Sequence, residues 1–406
     1  MTTKVWMREA AATAALALLL AACGGGGDTA AEGGGAAGGD TAAAGAPADS
    51  AAGGPQAAAP GGPTQADGGP TVDLPPNEMG RIMVLEYHRT GSPEGEFVRT
   101  LENYRKDLES LYQKGYRPVT MRQVLEGNID IPRGTTPVVF TFDDATRGQF
   151  YYLPNGQIDP NTMVGAWAAF KERNPGWSGG ATWCILPAAA HPSNFFGEKA
   201  DKEIPREERV ETIRKKMSWL VENGHEICNH TLYHARLDRG TDRQVQDWLG
   251  IGEDSLKAYL PADYDIVTMA LPLGMWPKNR PLAWAGSYRD NKRYEYKVVL
   301  EVSGGPNVPP WDKSWNPHSV DRFIVAPGAL ERQLKLWDEN PANRYISDGD
   351  PNTMSYPQRM AAQVEQSRLM GKRAQVVPDA PAQNAAAGAQ PGAAPAPPAA
   401  GGGGRR

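Results

Sequence analysis

The chain has 406 residues, with 42 Lys and Arg against 47 Asp and Glu and a formal net charge of -5. It contains no Lys/Arg cluster of the kind that tracks phosphates, so nucleic-acid binding has no support. Three cysteines are too few for a disulfide-built scaffold.

Lys4 and Arg8 precede an apolar run from Ala10 to Leu20, and Leu20-Ala21-Ala22-Cys23 follows. A basic start, a short apolar core and small residues at a cleavage site describe a signal peptide. The run falls well short of the ~20 residues that cross a bilayer. Leu-Ala-Ala-Cys before Gly24 resembles a bacterial lipoprotein box, in which Cys23 becomes the acylated first residue of the mature protein. Acyl chains anchor durably, at roughly 0.8 kcal/mol per buried methylene. The resemblance implies a membrane-anchored lipoprotein of the cell envelope, facing the periplasm or the exterior. The alternative is an ordinary cleaved signal with a chance cysteine.

Residues 24–79 are Gly, Ala, Pro, Asp and Thr with almost no large apolar side chain, and the segment is expected to be a disordered tether. Residues 374–406 share that composition and are expected to be disordered as well. One folded body remains, a domain over 80–347 with a C-terminal extension over 348–373, and it is expected to act as a monomer.

Within that body strands and helices alternate. Arg81 to Tyr87 reads as a buried strand, and Phe97, Leu101, Tyr104, Leu108, Leu111 and Tyr112 then recur at helical spacing until Gly115. Val138 to Phe142 is a β-rich run that ends in two acids, Asp143 and Asp144. After a Gly/Pro-rich insertion over 147–180, Ala181 to Leu186 has strand character. Val210, Ile213, Met217, Leu220 and Val221 form one face of a helix from Glu207 to Asn223, and the strand Glu226 to Asn229 leads into His230. Asp247 to Leu260 reads as a helix, Ile266 to Leu271, Val298 to Val302 and Phe323 to Val325 as strands, and Gln358 to Arg373 as a weakly amphipathic helix. This order predicts parallel strands with helical crossovers. In such folds reactive groups gather at the carboxyl ends of the strands, where Asp143, Asp144, His230 and the loop after Leu271 fall. Cys184 and Cys228 lie in apolar strand-like runs and read as two buried thiols, with a bridge left open if their strands are neighbours.

His230 and His234 stand at i and i+4, a spacing that on a helical turn puts both imidazoles on one face. Alone the pair is also the pattern of a surface or core-edge pair, and adjacent acids are often a solvated loop. Together, two imidazoles and one carboxylate make a three-ligand set with positions open for water and substrate. The second carboxylate is then free to take a proton. Zn²⁺ suits such a set best, and Co²⁺ or Ni²⁺ also fit it.

Thr141-Phe142-Asp143-Asp144, the stretch from Gly224 to His234 and Leu271-Pro272-Leu273-Gly274 resemble the three motifs of the polysaccharide deacetylase (NodB-homology) family. Val84-Leu85-Glu86-Tyr87-His88 resembles the opening strand of members acting on poly-N-acetylglucosamine. The resemblance implies an α/β fold, a distorted barrel of seven β/α units, that removes N- or O-acetyl groups from sugar polymers. It further implies that Asp144, His230 and His234 hold a divalent metal, that Asp143 is the base and that the backbone N–H of Leu273 helps hold the oxyanion. The family's late proton-donating histidine has one counterpart here, His318, whose other reading is structural. The family's third-motif arginine is missing, since Met269-Ala270 stand there. Arg322 either pairs with Asp143 in its stead or is a surface arginine beside Asp321. The glycine that normally follows the two aspartates is Ala145. His88 is expected to line the site. Pro272 belongs to the substrate loop, and Trp276, following Gly274, is the first candidate to stack on a sugar face.

The function these residues imply is a metal-dependent hydrolase that deacetylates N-acetylglucosamine units of an envelope or extracellular polysaccharide. The competing readings are an esterase on O-acetylated polysaccharide and a non-catalytic envelope carbohydrate-binding protein on the same fold.

Overall fold

The computed structural model describes residues 67–190, 193–197, 205–302 and 304–379. The signal segment, Cys23, His191 and most of both tails lie outside the described residues. Eight strands form one all-parallel sheet: β1 (Met83–Tyr87), β2 (Tyr116–Val119), β3 (Thr136–Asp143), β4 (Thr182–Ile185), β5 (Glu226–Asn229), β6 (Thr268–Ala270), β7 (Val298–Leu300) and β8 (Phe323–Ile324). Seven of them run in the order β7-β6-β5-β4-β3-β1-β8, and β2 pairs with the first half of β3 on the edge that β4 takes further along. Val320 bridges Leu300 of β7 while Phe323 and Ile324 pair with Leu85 and Glu86 of β1, so one short segment joins both edges of the curled sheet. This is the α/β architecture expected of the motifs.

Side chains alternate across each strand, and the core divides accordingly. Leu85, Phe140, Phe142, Trp183, Ile227 and Met269 face the helices, among them α1 (Leu101–Gln113), α3 (Met163–Arg173), α4 (Arg206–Glu222) and α5 (Asp242–Lys257). Val84, Val139, Cys184, Cys228, Ala270 and Leu300 belong to a second, inner cluster. Continuing the inner parity toward the carboxyl ends gives Glu86 and His88, Thr141 and Asp143, and His230. The inner face is therefore apolar low down and ionisable at the top.

Several expectations need correction. Cys184 and Cys228 are register partners on neighbouring strands, and both project inward, so they form a disulfide rather than two thiols. The insertion after Asp144 contains α3, which the Gly/Pro-rich flanks concealed; Thr162 caps it, and Trp167 and Phe170 are buried. Met121–Leu125 (α2) and Ala329–Glu339 (α6) are two more short helices, in segments to which the sequence reading assigned no element. The Gln358 to Arg373 segment is two 3₁₀ turns, and Arg373–Val377 is a strand parallel to Thr353–Pro357. The tether ends earlier than residue 79: Asp67 pairs with the buried Arg117 at 2.6 Å, and Asn77, Glu78 and Met79 are buried. The extension is part of the barrel's packing, since Met354, Tyr356, Val364 and Leu369 share the inner cluster with Val84 and Val139.

Glu78 makes that junction pH-sensitive. Its carboxylate accepts from the Ser355 N–H at 2.7 Å and from the Tyr345 hydroxyl at 3.0 Å. Burial, helped by the charge of Asp348, still pushes its pKa up to about 8. Between the ordinary glutamate pKa and about 8, the unfolded chain gives up this proton and the folded one keeps it. Stability should therefore fall as pH rises through that window, by at most about 1.4 kcal/mol per pH unit for one proton. Glu78→Gln is expected to flatten the fall in denaturation midpoint from pH 5 to pH 8. An equal fall in both proteins would contradict it.

Candidate metal centre

The two acids at the end of β3 point different ways. Asp144 and Ala145 take φ of 76° and 51°, left-handed values that glycine adopts most easily, and this turns the chain sharply as it leaves the sheet. Asp143, 1 % exposed, faces inward, where the guanidinium of Arg322 donates to Oδ1 at 2.7 Å and to Oδ2 at 2.8 Å. Arg322 is fully buried, which removes the reading of a surface arginine. It also donates to the Thr141 hydroxyl at 3.2 Å and to the carbonyl of Glu301. Burial alone would raise the Asp143 carboxyl, but Arg322, with the nearby His230 and His88, holds it well below the usual carboxylate range.

Asp144 turns toward the histidines. Its Oδ1 lies 3.8 Å from His230 Nε2 and 3.9 Å from His234 Nε2, and one ligand atom from each of the three residues lies within 4.8 Å of the others. The histidines do not sit on a helix. They flank a turn in which Thr231 and His234 have φ of 67° and 65°, so i and i+4 meet through loop geometry and not helical periodicity. Asn229 pins that turn, accepting from Thr231 N at 2.8 Å and donating to Leu249 O at 3.0 Å.

His230 provides the test of whether this group fits a cation. Its Nδ1 meets the carbonyl of Ala270 at 3.0 Å and must be the protonated nitrogen. Nε2 is then a lone pair, buried and without a hydrogen-bond partner; it lies 3.6 Å from Asp143 Oδ2 and 3.8 Å from Asp144 Oδ1, with the His234 ring beside it. Burial disfavours its protonation. An oriented neutral imidazole backed by a carbonyl is the usual form of a histidine ligand, and the three donors fit a divalent metal.

A second buried group adjoins the first. His88 Nε2 is 3.4 Å from Glu86 Oε1 and 3.9 Å from Asp143 Oδ2. Burial holds His88 neutral, with its pKa lowered to about 4, and pushes Glu86 up to about 8. Arg322 Nε lies 3.4 Å from Glu86 Oε2, so these carboxylates already face a cation and are poorly placed to take a metal. Glu86 escaped the sequence reading, although a charged residue of inner parity in an apolar strand is the signal for it.

The remaining candidates are more scattered. Leu273 occupies the 3₁₀ turn Pro272–Gly274 with φ 57°, three residues beyond the carbonyl that orients His230; its side chain is exposed and Pro272 is buried. Trp276 donates from Nε1 to Glu301 at 3.0 Å, and Arg280 lies 4.1 Å over its ring, so one face of the expected sugar platform is taken. His318 does not join the group. Its ring stacks on Trp284 at 4.5 Å, and the charges it feels are those of Lys297 and Glu295, at the start of β7 rather than its carboxyl end.

Neither a family model nor a curated protein matches the chain. Among solved structures it is similar to the Streptococcus pyogenes deacetylase PplD in complex with acetate, with 16 % identity over 63 % of this chain and 97 % of that one and a TM-score of 0.44. It is also similar to IcaB from Ammonifex degensii, with 19 % identity over 64 % and 97 % and a TM-score of 0.43. A polysaccharide deacetylase from Bacillus cereus matches with 14 % identity over 63 % and 68 % and a TM-score of 0.43.

Proposed function

We propose that this chain is a metal-dependent hydrolase that removes acetyl groups from N-acetylglucosamine units of an envelope or extracellular polysaccharide. The observation that carries the reading is the division between the two adjacent carboxylates: Asp144 faces His230 and His234, while Asp143 is forked by Arg322. Asp144, His230 and His234 would hold a divalent ion, which would supply Lewis acidity to an acetyl carbonyl and acidify water there. Asp143 takes the proton of the attacking water. Arg322 fixes both of its oxygens and keeps it ionised, so the base stays aimed at the site. The N–H of Leu273 is assigned to the developing oxyanion. With His318 apart from the group, the proton taken up by Asp143 is the nearest one for the leaving amine. His88, beside Asp143, is assigned to substrate contact together with Pro272 and Trp276.

Acetate release measured side by side on acetylated chitooligosaccharide and acetylxylan tests the substrate class. Release from the first alone is expected. Release from acetylxylan alone would make the enzyme an O-acetyl esterase, and release from neither would favour a carbohydrate-binding protein.

The same reading places the enzyme on a membrane through an acylated Cys23, supported by the lipoprotein box. Cys23→Ser is expected to move the protein from the membrane fraction to the soluble one. Its retention on membranes after a high-salt wash, which screens peripheral charge contacts, would contradict the anchor.

A further inference from the structure

Gln149 lies six residues past Asp143, ahead of α3, and is fully buried. Its Nε2 donates to the carbonyl of Asp143 at 2.6 Å and to the carbonyl of His88 at 2.6 Å, and its Oε1 accepts from Thr146 N at 3.1 Å. Only this orientation of the amide satisfies all three partners, since two are carbonyls and one is an N–H. β1 and β3 pair in register up to Tyr87 and Phe142. His88 and Asp143 are therefore the first residues beyond the last rung, where the strands part and the carbonyls need other partners. Gln149 closes that gap with one side chain. It also holds the peptide between Asp143 and Asp144 immediately before the left-handed pair Asp144 and Ala145, the turn that sends one carboxylate to Arg322 and the next to the histidines.

We propose that Gln149 is a positioning residue that sets the directions of Asp143 and Asp144 by clamping the Asp143 carbonyl to that of His88. The proposal rests on the reading of Asp144 as a ligand and Asp143 as the base. Without the clamp the Asp143 peptide is held only by its ladder pairing with Cys184 on β4, and both side chains can move off their targets together. A residue that only filled space here would affect folding and leave the metal and the chemistry unchanged.

The test uses the full mature chain loaded with Co²⁺, whose visible absorption reports ligand number and geometry. Gln149→Met keeps the length and removes every hydrogen bond. Gln149→Glu keeps the shape and the acceptor for Thr146 N and removes the two donated bonds. Both are expected to weaken Co²⁺ binding at least tenfold, to alter its absorption and to lower kcat at least tenfold with KM within about twofold, while the far-ultraviolet circular dichroism is retained. If Gln149→Met does not fold, Gln149→Glu decides. Wild-type Co²⁺ affinity, absorption and kcat in the folded variant, with only a lower melting temperature, would overturn the proposal. His230→Ala measured alongside separates the two readings. If it loses Co²⁺ while the Gln149 variants do not, the positioning role alone fails, and if it keeps Co²⁺ the metal assignment fails first.

Discussion

Asp143→Asn is expected to keep its metal and to lose roughly 10²–10⁴ in turnover, the usual cost of removing a general base. The amide has nearly the shape of the carboxylate but cannot accept the proton of water. It also presents an NH₂ to a guanidinium that now donates to both oxygens, at 2.7 and 2.8 Å. One of those contacts becomes donor against donor, so Arg322 shifts or loses a bond. Metal content should not change, because both Asp143 oxygens are engaged by Arg322, although Oδ2 lies 3.6 Å from His230, whereas one Asp144 oxygen stands within 3.9 Å of both histidines. Metal analysis and acetate release on one preparation check both halves. Wild-type acetate release would move the base elsewhere, and loss of metal would make Asp143 a ligand.

The second large effect is on binding. His230→Ala or His234→Ala removes one of the three proposed ligands and should weaken metal binding by more than ~100-fold, since even the partners of ligands are worth ~10–100-fold. The two differ in what they leave behind. His230 is buried and bonded to the Ala270 carbonyl, so its loss also orphans that acceptor, whereas His234 is partly exposed. His230→Ala should therefore be the less stable of the two, by about 1–3 kcal/mol for an unsatisfied buried group. The barrel should survive both changes, because the cluster around Phe140, Trp183 and Met217 does not involve either ring. Circular dichroism checks the fold, and full metal occupancy in both variants would sink the ligand assignment.

Much of this site could be read in the sequence because strand parity and topology do the placing. Asp143 and His230 follow apolar runs that become β3 and β5, and parallel strands bring their carboxyl ends together. The pairing of the histidines was expected for the wrong local reason: left-handed residues at 231 and 234 replace the helical turn. Other features depend on which strands are neighbours, which spacing does not encode. Cys184 and Cys228 are bonded because β4 and β5 are adjacent in register. His318 was singled out by elimination, but it lies beside Lys297 and Glu295 and stacks on Trp284, while His88, of inner parity on β1, stands 3.9 Å from Asp143. Gln149 left no trace in the sequence, being one polar residue in a Gly/Pro-rich stretch whose partners are main-chain carbonyls. The segment from 67 to 79 looked like tether by composition, yet Asp67 and Glu78 tie it down through paired polar contacts that hydropathy does not register.

The most direct test of a metal-dependent deacetylase is acetate release from acetylated chitooligosaccharide as purified, chelator-treated protein is titrated with Zn²⁺. Release should be absent in the stripped protein and should rise with bound Zn²⁺ to a plateau at one ion per chain, with His230→Ala flat across the same range. Undiminished release from protein shown to be free of metal would contradict the account.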